Sequence, residues 1–199
     1  MQACRLAALD LGCRRGDRLL FRQLNFALAQ GEALHLAGPN GVGKSSLIRI
    51  LAGLLRPYAG SVEREGALAL ADEHPALDAH LALRRALDQW RKFDRAEPST
   101  LEAAIATLGL GDLHDVPVRY LSTGQRKRAV LARTLLTGAP LWLLDEPLNG
   151  LDSASAAVVE SLVARHIGEG GIAVIASHQP FALAAMTRLE LANFEPADA

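Results

Sequence analysis

The 199-residue sequence has only two cysteines, and this scarcity excludes a disulfide-stabilised scaffold. Cys4 and Cys13 are not spaced like metal ligands and no histidine cluster accompanies them. We therefore expect two free thiols in a reducing compartment.

The sequence also lacks long apolar runs and a dominant charge. No run approaches the roughly 20 apolar residues that cross a bilayer, so we expect another chain to supply the spans if the protein acts at a membrane. The net charge is −1 and the pI is about 6.6, which gives no basic field for nucleic acid. We therefore expect no nucleic-acid partner.

What the chain does contain is an ordinary globular composition, 50% hydrophobic and 22% charged. Its length suits one compact α/β domain with a full core and is short for two. The sequence therefore predicts a single domain over residues 1–199.

The segment GPNGVGKSS has a phosphate-loop pattern, in which the fixed positions are Gly38, Gly43, Lys44 and Ser45. An apolar run precedes it and a helix-like run follows, which favours a phosphate loop over an accidental glycine-rich turn. Backbone amides and the helix N-terminus would surround the phosphates, Lys44 would reach the β- and γ-phosphates, and the Ser45 hydroxyl would hold Mg²⁺. The predicted binding residues are Gly38, Pro39, Asn40, Gly41, Val42, Gly43, Lys44, Ser45 and Ser46.

Around this loop the pattern predicts an antiparallel hairpin over residues 4–13 and 19–29, and a buried strand over 33–37. A helix over residues 45–55 follows and should stop at Arg56-Pro57.

A short strand at 66–70 precedes an all-helical insertion over about 78–118, in which Ser99 or Thr100 caps the second helix. Together with the next helix, this insertion forms a helical subdomain over about 78–135.

In the second half of the chain, Ser122 and Gln125 form an S-x-x-Q capping box at the start of a helix. The apolar run 141–144 predicts a central parallel strand that ends in Asp145-Glu146. A helix over about 153–167 leads to a second buried strand over 172–176, which ends in Ser177-His178.

These strand ends predict a catalytic edge. A carboxylate after a buried strand needs a cation, so Asp145 is predicted to hold Mg²⁺, directly or through water. The adjacent Glu146 would orient the attacking water and accept its proton. His178 on its own is equally consistent with a structural histidine.

In order, GPNGVGKS, LSTGQ, LLDEP, LNGLD and a strand ending in SH resemble the ATP-binding subunit of ABC transporters over nearly the whole chain. The resemblance implies a P-loop NTPase fold with ATP and Mg²⁺ as cofactors. This α/β fold would have a mostly parallel core sheet, an N-terminal antiparallel β-subdomain and an inserted helical subdomain.

The resemblance identifies LSTGQ, residues 121–125, as the family's signature. It also implies a head-to-tail homodimer, in which Ser122, Gly124 and Gln125 of one copy contact the γ-phosphate held by the other. It implies that Glu146 is the general base and His178 the switch histidine. Asp152 would couple the two subunits.

Two segments depart from the family pattern. Arg14 or Arg15 stands where these proteins usually place an aromatic ring on adenine, and an arginine side chain can also stack on a base; Arg15 is the predicted contact. Where a glutamine usually contacts the metal, the sequence has Asp72-Glu73-His74, and Glu73 is predicted as the metal contact.

Within the family, the chain is most similar to the ATP-binding subunits of cytochrome c maturation. The features that carry this similarity are the short length and the segments EHPAL, LWLLDEP and SHQP. This similarity implies haem export or release of a haem-loaded chaperone, with a membrane-spanning CcmB-like permease as partner. It also implies a peripheral location on the cytoplasmic face of the inner membrane.

Two soluble alternatives fit poorly. An ABC machine acting on chromosomes would need a long coiled coil between the phosphate loop and the signature, where this chain has only residues 46–121, and a translation factor would need two cassettes in one chain. Two other interpretations remain open, a subunit of another small transporter and a soluble nucleotide-gated ABC protein with little turnover.

Overall fold

The computed structural model describes residues 4–183 and 186–195. In chain order, the strands are β1 (Arg5–Arg15), β2 (Arg18–Leu28), β3 (Ala33–Ala37), β4 (Ala59–Glu65), β5 (Leu68–Ala71), β6 (Leu141–Asp145), β7 (Ile172–Ala176) and β8 (Thr187–Glu190). The helices are α1 (Lys44–Leu51), α2 (Leu83–Phe93), α3 (Pro98–Thr107), α4 (Thr123–Leu136) and α5 (Ser153–Gly168). Short 3-10 helices occupy Gly111–Leu113, Val118–Tyr120 and Leu191–Phe194.

The centre of the molecule is a parallel sheet with the strand order β5-β6-β7-β3-β8. Its three middle strands are buried along their whole length, as expected for a sheet covered on both faces. Successive side chains point to opposite faces, so Leu141 and Leu143 of β6 join one apolar cluster while Trp142 and Leu144 join the other. The parallel core predicted from the sequence is confirmed.

A second, antiparallel sheet has the strand order β2-β1-β4 and packs over the face that carries α1. The N-terminal hairpin is confirmed, with Leu6 opposite Leu28 and Arg15 opposite Arg18. Strand β4, which the sequence patterns do not predict, pairs antiparallel with β1. Because most of β4 is exposed, its sequence carries no apolar alternation.

Two predicted helix boundaries are wrong. Helix α1 ends at Leu51 rather than near residue 55, because Gly53 adopts a left-handed φ of 77° and the amides of Leu54 and Leu55 turn back to the Arg49 carbonyl. Helix α3 is preceded by Glu97 as N-cap, and neither Ser99 nor Thr100 caps it. Pro98 takes the first helical position, where its missing amide costs nothing.

Helices α2, α3 and α4 lie between β5 and β6 in the chain and share one apolar cluster with the sheet face that also carries α5. This arrangement leaves the carboxyl ends of β3, β6 and β7 as the meeting point of the phosphate loop, the Asp145-Glu146 pair and the segment at His178.

Candidate nucleotide-binding site

The phosphate loop joins the end of β3 to the start of α1. Gly43, the residue before α1, has a φ of 113°, a conformation that L side chains rarely adopt. A Cβ there would also come within 3.4 Å of Leu20 and 3.3 Å of Phe21. Only glycine therefore lets β2 pack directly against the loop.

A cavity of about 330 Å³ lies over this loop. Helix α1 begins without a side-chain cap from the described residues, so its first amides are available to an anion. The cavity is lined by Leu20, Asn40, Gly41, Gly43, Lys44, Ser45, Ser46 and Glu146.

Lys44 is buried under the loop, with 6% of the side chain exposed. Its Nζ donates to the carbonyl oxygens of Gly38 at 2.8 Å and Pro39 at 3.2 Å. Oε1 of Glu146 lies 3.6 Å from the same nitrogen. The ammonium group thus sits between the loop backbone and the predicted general base, at the position where a phosphate would attract it.

Glu146 and His178 also contact each other. Nδ1 of His178 lies 2.9 Å from Oε2 of Glu146. Glu146 has a φ of 48°, an uncommon conformation for a residue other than glycine, and its amide donates to the Ala176 carbonyl at 2.8 Å. Strain of this kind persists where the surroundings fix the backbone, and it recurs at functional sites.

Asp145 combines burial with an unsatisfied oxygen. Its Oδ1 has no hydrogen-bond partner within the part of the chain that the structure describes. Burial raises the pKa of the Asp145 carboxyl, and a hydrogen bond from the Ser45 side chain opposes that rise. A buried carboxylate oxygen and a nearby hydroxyl are oxygen ligands of the kind that a hard cation such as Mg²⁺ binds.

Lys127 of α4 lies beside this carboxylate, and its Nζ donates to the backbone carbonyl of Asp145 at 3.2 Å. Burial lowers the pKa of Lys127, while the neighbouring Asp145, Glu146, Asp72 and Glu73 oppose that shift. The helix that begins at the signature is therefore tied to the end of β6.

The predicted capping box at the start of α4 is present. The Ser122 hydroxyl accepts from the Gln125 amide at 3.2 Å, and the Gln125 side chain accepts from the Ser122 amide at 2.9 Å. The serine hydroxyl keeps its own proton for a further acceptor.

Gly124 meets the loop that follows Glu146. A Cβ at position 124 would lie 2.7 Å from the Gly150 carbonyl oxygen, too close for any larger residue without movement of the backbone. Asp152, two residues after Gly150, caps α5 by accepting a hydrogen bond from the Ser155 amide at 2.7 Å. That hydrogen bond lowers the pKa of Asp152.

The two departures from the family pattern have distinct surroundings. Arg14 lies over the Tyr58 ring, 5.1 Å from its centroid, whereas Arg15 is the last residue of β1 and lies opposite Arg18 of β2. The adenine contact of Arg15 stays a prediction.

Glu73 extends into solvent, with 77% of its side chain exposed, and its carboxylate lies 3.7 Å from Arg49. Asp72 is the more enclosed of the two acids, with 12% of its side chain exposed, and it acts electrostatically on Asp145.

Sequence reasoning missed Leu20, Asp72 and Lys127. Leu20 is one apolar residue within the run LLF, and nothing in that run marks it as a cavity wall. Asp72 stands directly before Glu73 in the sequence, and only its burial distinguishes the two acids. Lys127 stands in the run RKR, which is indistinguishable from a solvated helix face until α4 is packed on β6.

Comparison with known proteins decides the family. The profile described as ABC transporter matches residues 21–149. The chain belongs to the ABC transporter family. Members of this family bind and hydrolyse ATP, and this general activity comes to the chain with its membership.

Two curated relatives resemble this ABC chain over most of its length. The Cytochrome c biogenesis ATP-binding export protein CcmA of Novosphingobium aromaticivorans is 59% identical over 98% of this chain and 100% of its own. The protein of the same name from Sphingopyxis alaskensis is 53% identical over 90% of this chain and 92% of its own. The similarity to the cytochrome c maturation subunits, inferred from the sequence, is thereby confirmed.

A solved Pyrococcus furiosus structure, classed as an ABC transporter ATP-binding protein, has the same fold. Its TM-score is 0.83 at 21% identity, and the match covers 96% of this chain and 100% of that one. This likeness supports the fold alone.

Proposed function

We propose that this ABC subunit hydrolyses ATP to power haem export or the release of a haem-loaded chaperone in cytochrome c maturation. The observation that carries the haem assignment is the extended identity to relatives named for cytochrome c biogenesis. Substrate assignment rests on those names, whereas the hydrolytic steps can be argued from the chain's own residues.

The residues around Asp145 fit Mg²⁺. Asp145 offers a buried oxygen without a described partner, and Ser45 offers a hydroxyl that reaches the same carboxyl. No cluster of three metal-ligating side chains occurs among the described residues, which suits an ion that completes its shell with phosphates and water. When bound, Mg²⁺ would neutralise charge on the β- and γ-phosphates.

Lys44 changes partners when ATP binds. Its present acceptors, the carbonyls of Gly38 and Pro39, are neutral, and the phosphate oxygens carry more charge. The phosphates also separate Lys44 from Glu146, whose carboxylate is then free to accept a hydrogen bond from water.

Glu146 orients that water and accepts its proton as the water oxygen bonds to the γ-phosphorus; the bond from this phosphorus to the β–γ bridging oxygen breaks, and ADP leaves. His178 holds the carboxylate through its Nδ1 contact, which fixes the direction of the second carboxylate oxygen. Arg15 lies against adenine, and Glu73 serves as a further contact near the metal.

The site is completed by a second copy of the chain. Ser122 retains a hydroxyl proton for a phosphate oxygen, and Gly124 leaves the first amides of α4 without a side chain over them. Gln125 steadies the serine and Asp152 carries the closure into α5. Two copies arranged head to tail then hold two ATP molecules, each between the phosphate loop of one copy and the signature of the other.

The membrane partner is a CcmB-like permease. Closure of the dimer is transmitted to it through the helical subdomain over about 78–135, which is part of a single domain over residues 1–199. Across residues 4–183 and 186–195, no helix is long and apolar enough to cross a membrane. The chain then works peripherally, at the cytoplasmic face of the inner membrane.

Co-purification tests this assignment. The tagged chain is extracted from native membranes in detergent, its companions are identified by mass spectrometry, and its ATP turnover is measured. We expect a hydrophobic CcmB-like subunit and turnover that responds to the haem chaperone. Recovery of the chain alone, or with a permease for another substrate, would refute the haem assignment.

A further inference from the structure

His35 is a polar residue in an otherwise apolar strand. It occupies the centre of β3 (ALHLA), in which every residue is buried, and only 4% of His35 is exposed. Burying an imidazole without a specific partner is unfavourable, so the strand would gain from an aliphatic residue here. None of the contacts among Lys44, Glu146 and His178 involves the His35 side chain directly.

The partner of His35 is the backbone next to the switch histidine. Nε2 of His35 lies 3.2 Å from the carbonyl oxygen of Ser177. Because a carbonyl can only accept, Nε2 must carry the proton and donate it. Burial lowers the pKa of His35, which agrees with a neutral ring that donates through one nitrogen.

Ser177 is held at three points. Its amide donates to the Leu36 carbonyl at 3.2 Å, which continues the pairing between β3 and β7. Its hydroxyl lies 3.0 Å from both the amide and the carbonyl oxygen of Gln179. The bond from His35 fixes the remaining group, the carbonyl of the peptide whose nitrogen belongs to His178.

The same peptide leads directly to the catalytic edge. His178 is 40% exposed and reaches Oε2 of Glu146 at 2.9 Å. An exposed ring keeps one direction only if the backbone that carries it is fixed. A continuous series of bonds therefore joins His35 to Ser177, His178 and Glu146.

We infer that His35 is a positioning residue, which sets the orientation of His178 and through it the Glu146 carboxylate. The inference rests on the proposed ATP hydrolysis, since Glu146 acts there as general base. His35 is not among the residues that line the cavity over the phosphate loop, so it acts through its neighbours.

The chain supplies a matched control in His166. This histidine is also buried, and its Nε2 lies 3.2 Å from the Pro140 carbonyl and 3.3 Å from the Ile172 carbonyl. Those carbonyls stand where β6 and β7 begin, at the edge of the sheet opposite to His178. Replacing His166 removes an equivalent buried hydrogen bond without touching the catalytic edge.

The test is a double-mutant cycle on the purified full-length chain. His35→Leu removes the donor, and His35→Gln keeps an N–H group in its place. We expect His35→Leu to lower kcat by about tenfold or more while KM for ATP is unchanged, because misplacement alone costs this much. His35→Gln should recover most of the loss.

In the background of His178→Ala, His35→Leu should have no further effect on kcat, because its route of action is already gone. His166→Leu should lower the melting temperature and leave kcat unchanged in either background. If the effects of His35→Leu and His178→Ala on kcat multiply, or if His35→Gln behaves like His35→Leu, the positioning role is wrong.

A measurement independent of turnover separates this inference from the proposed function. In protein labelled with ¹⁵N-histidine, His35→Leu should shift the ring resonances of His178, whereas His166→Leu should not. Unshifted His178 resonances would overturn the inference even in an active ATPase. A parent protein without ATP hydrolysis would overturn the proposed function, and the resonances would still decide the role of His35.

Discussion

The phosphate-loop end and the signature end of the candidate site differ in what their side chains contact. At the phosphate loop, Lys44 lies 3.6 Å from Glu146, and Glu146 in turn lies 2.9 Å from His178. At the signature, the described side-chain hydrogen bonds of Ser122 and Gln125 join these two residues to each other. At the phosphate loop, side chains from different elements of the chain contact each other. At the signature, the side-chain hydrogen bonds of Ser122 and Gln125 only cap the helix to which they belong.

Because of this difference, the structure of one chain indicates a functional site at the phosphate-loop end more clearly than at the signature end. The phosphate-loop end has a left-handed φ at Glu146 and a buried Asp145 oxygen without a partner among the described residues, two features that recur at functional sites. The signature end has neither, and on its own it is a well-capped helix. Its proposed role therefore depends on a second copy of the chain.

The largest effect is expected at the phosphate-loop end. Glu146→Gln should lower ATP hydrolysis by about 10²–10⁴-fold, because the amide cannot accept the proton from water. Binding of ATP should persist, since Lys44 and the loop are unaltered. A phosphate-release assay measures the rate, with the exposed Glu169→Gln as control; parent-level hydrolysis by Glu146→Gln would rule out the general base.

The next effect is expected where the two ends meet, at Gly124. Gly124→Ala places a Cβ 2.7 Å from the Gly150 carbonyl oxygen and must displace either the first turn of α4 or the loop at Gly150. We expect the rate of ATP hydrolysis to fall by about 10²-fold, because a small displacement of these segments misaligns the groups that contact the γ-phosphate. The affinity of the monomer for ATP should be unchanged.

The matched control is Gly168→Ala, whose Cβ would meet nothing within 4 Å among the described residues. Equal rates for the two alanine variants would show that the contact between residues 124 and 150 has no functional weight.

A smaller effect separates capping from phosphate binding at Ser122. Aspartate is as good an N-cap as serine, so Ser122→Asp should change the free energy of unfolding by less than about 0.5 kcal/mol. It should nevertheless weaken ATP-dependent dimerisation by about tenfold or more, because the aspartate carboxylate would face the negatively charged γ-phosphate of the other copy. Denaturation and sedimentation measure the two effects, and dimerisation at the parent affinity would reduce Ser122 to a cap.

The smallest effect lies away from both ends, at His166. Burial lowers the pKa of His166 below its usual 6.5, so the unfolded chain binds a proton first as the pH falls. Stability is then complete above about pH 6.5 and decreases below it, by at most about 1.4 kcal/mol per pH unit for one group.

His166→Gln should flatten this loss, because an amide does not titrate. The pKa of His35 is also lowered and that of Asp145 is raised, but both act equally in the two proteins. Urea titrations between pH 5 and 8, the range in which histidine changes charge, provide the measurement. Parallel curves for the parent and the variant would contradict the assignment.

Much of the fold could be predicted because its elements have strong apolar patterns. The strands β3, β6 and β7 are continuous apolar runs that end in polar residues, and such runs mark a buried parallel sheet. Strand β4 is exposed at the edge of its sheet and has no such pattern. The end of α1 was misplaced because the backbone conformation of Gly53, rather than the following proline, stops the helix.

The site was predictable where spacing along the chain carries the chemistry, as in the phosphate loop and the Asp145-Glu146 pair. It was not predictable where tertiary packing selects one residue among neighbours. Burial favours Asp72 over Glu73 as the enclosed acid, and only the packing of α4 brings Lys127 to β6. His35 likewise reads as a polar interruption of a strand until Ser177 is placed beside it.

The central claim, that each ATP site is shared between two copies of the chain, is tested most directly by the molar mass of Glu146→Gln in solution. Light scattering should give the mass of one chain without nucleotide and of two chains with Mg²⁺ and ATP. Adding Ser122→Asp to the same chain should return the mass to that of one chain. A mass that is the same with and without ATP would contradict the shared site.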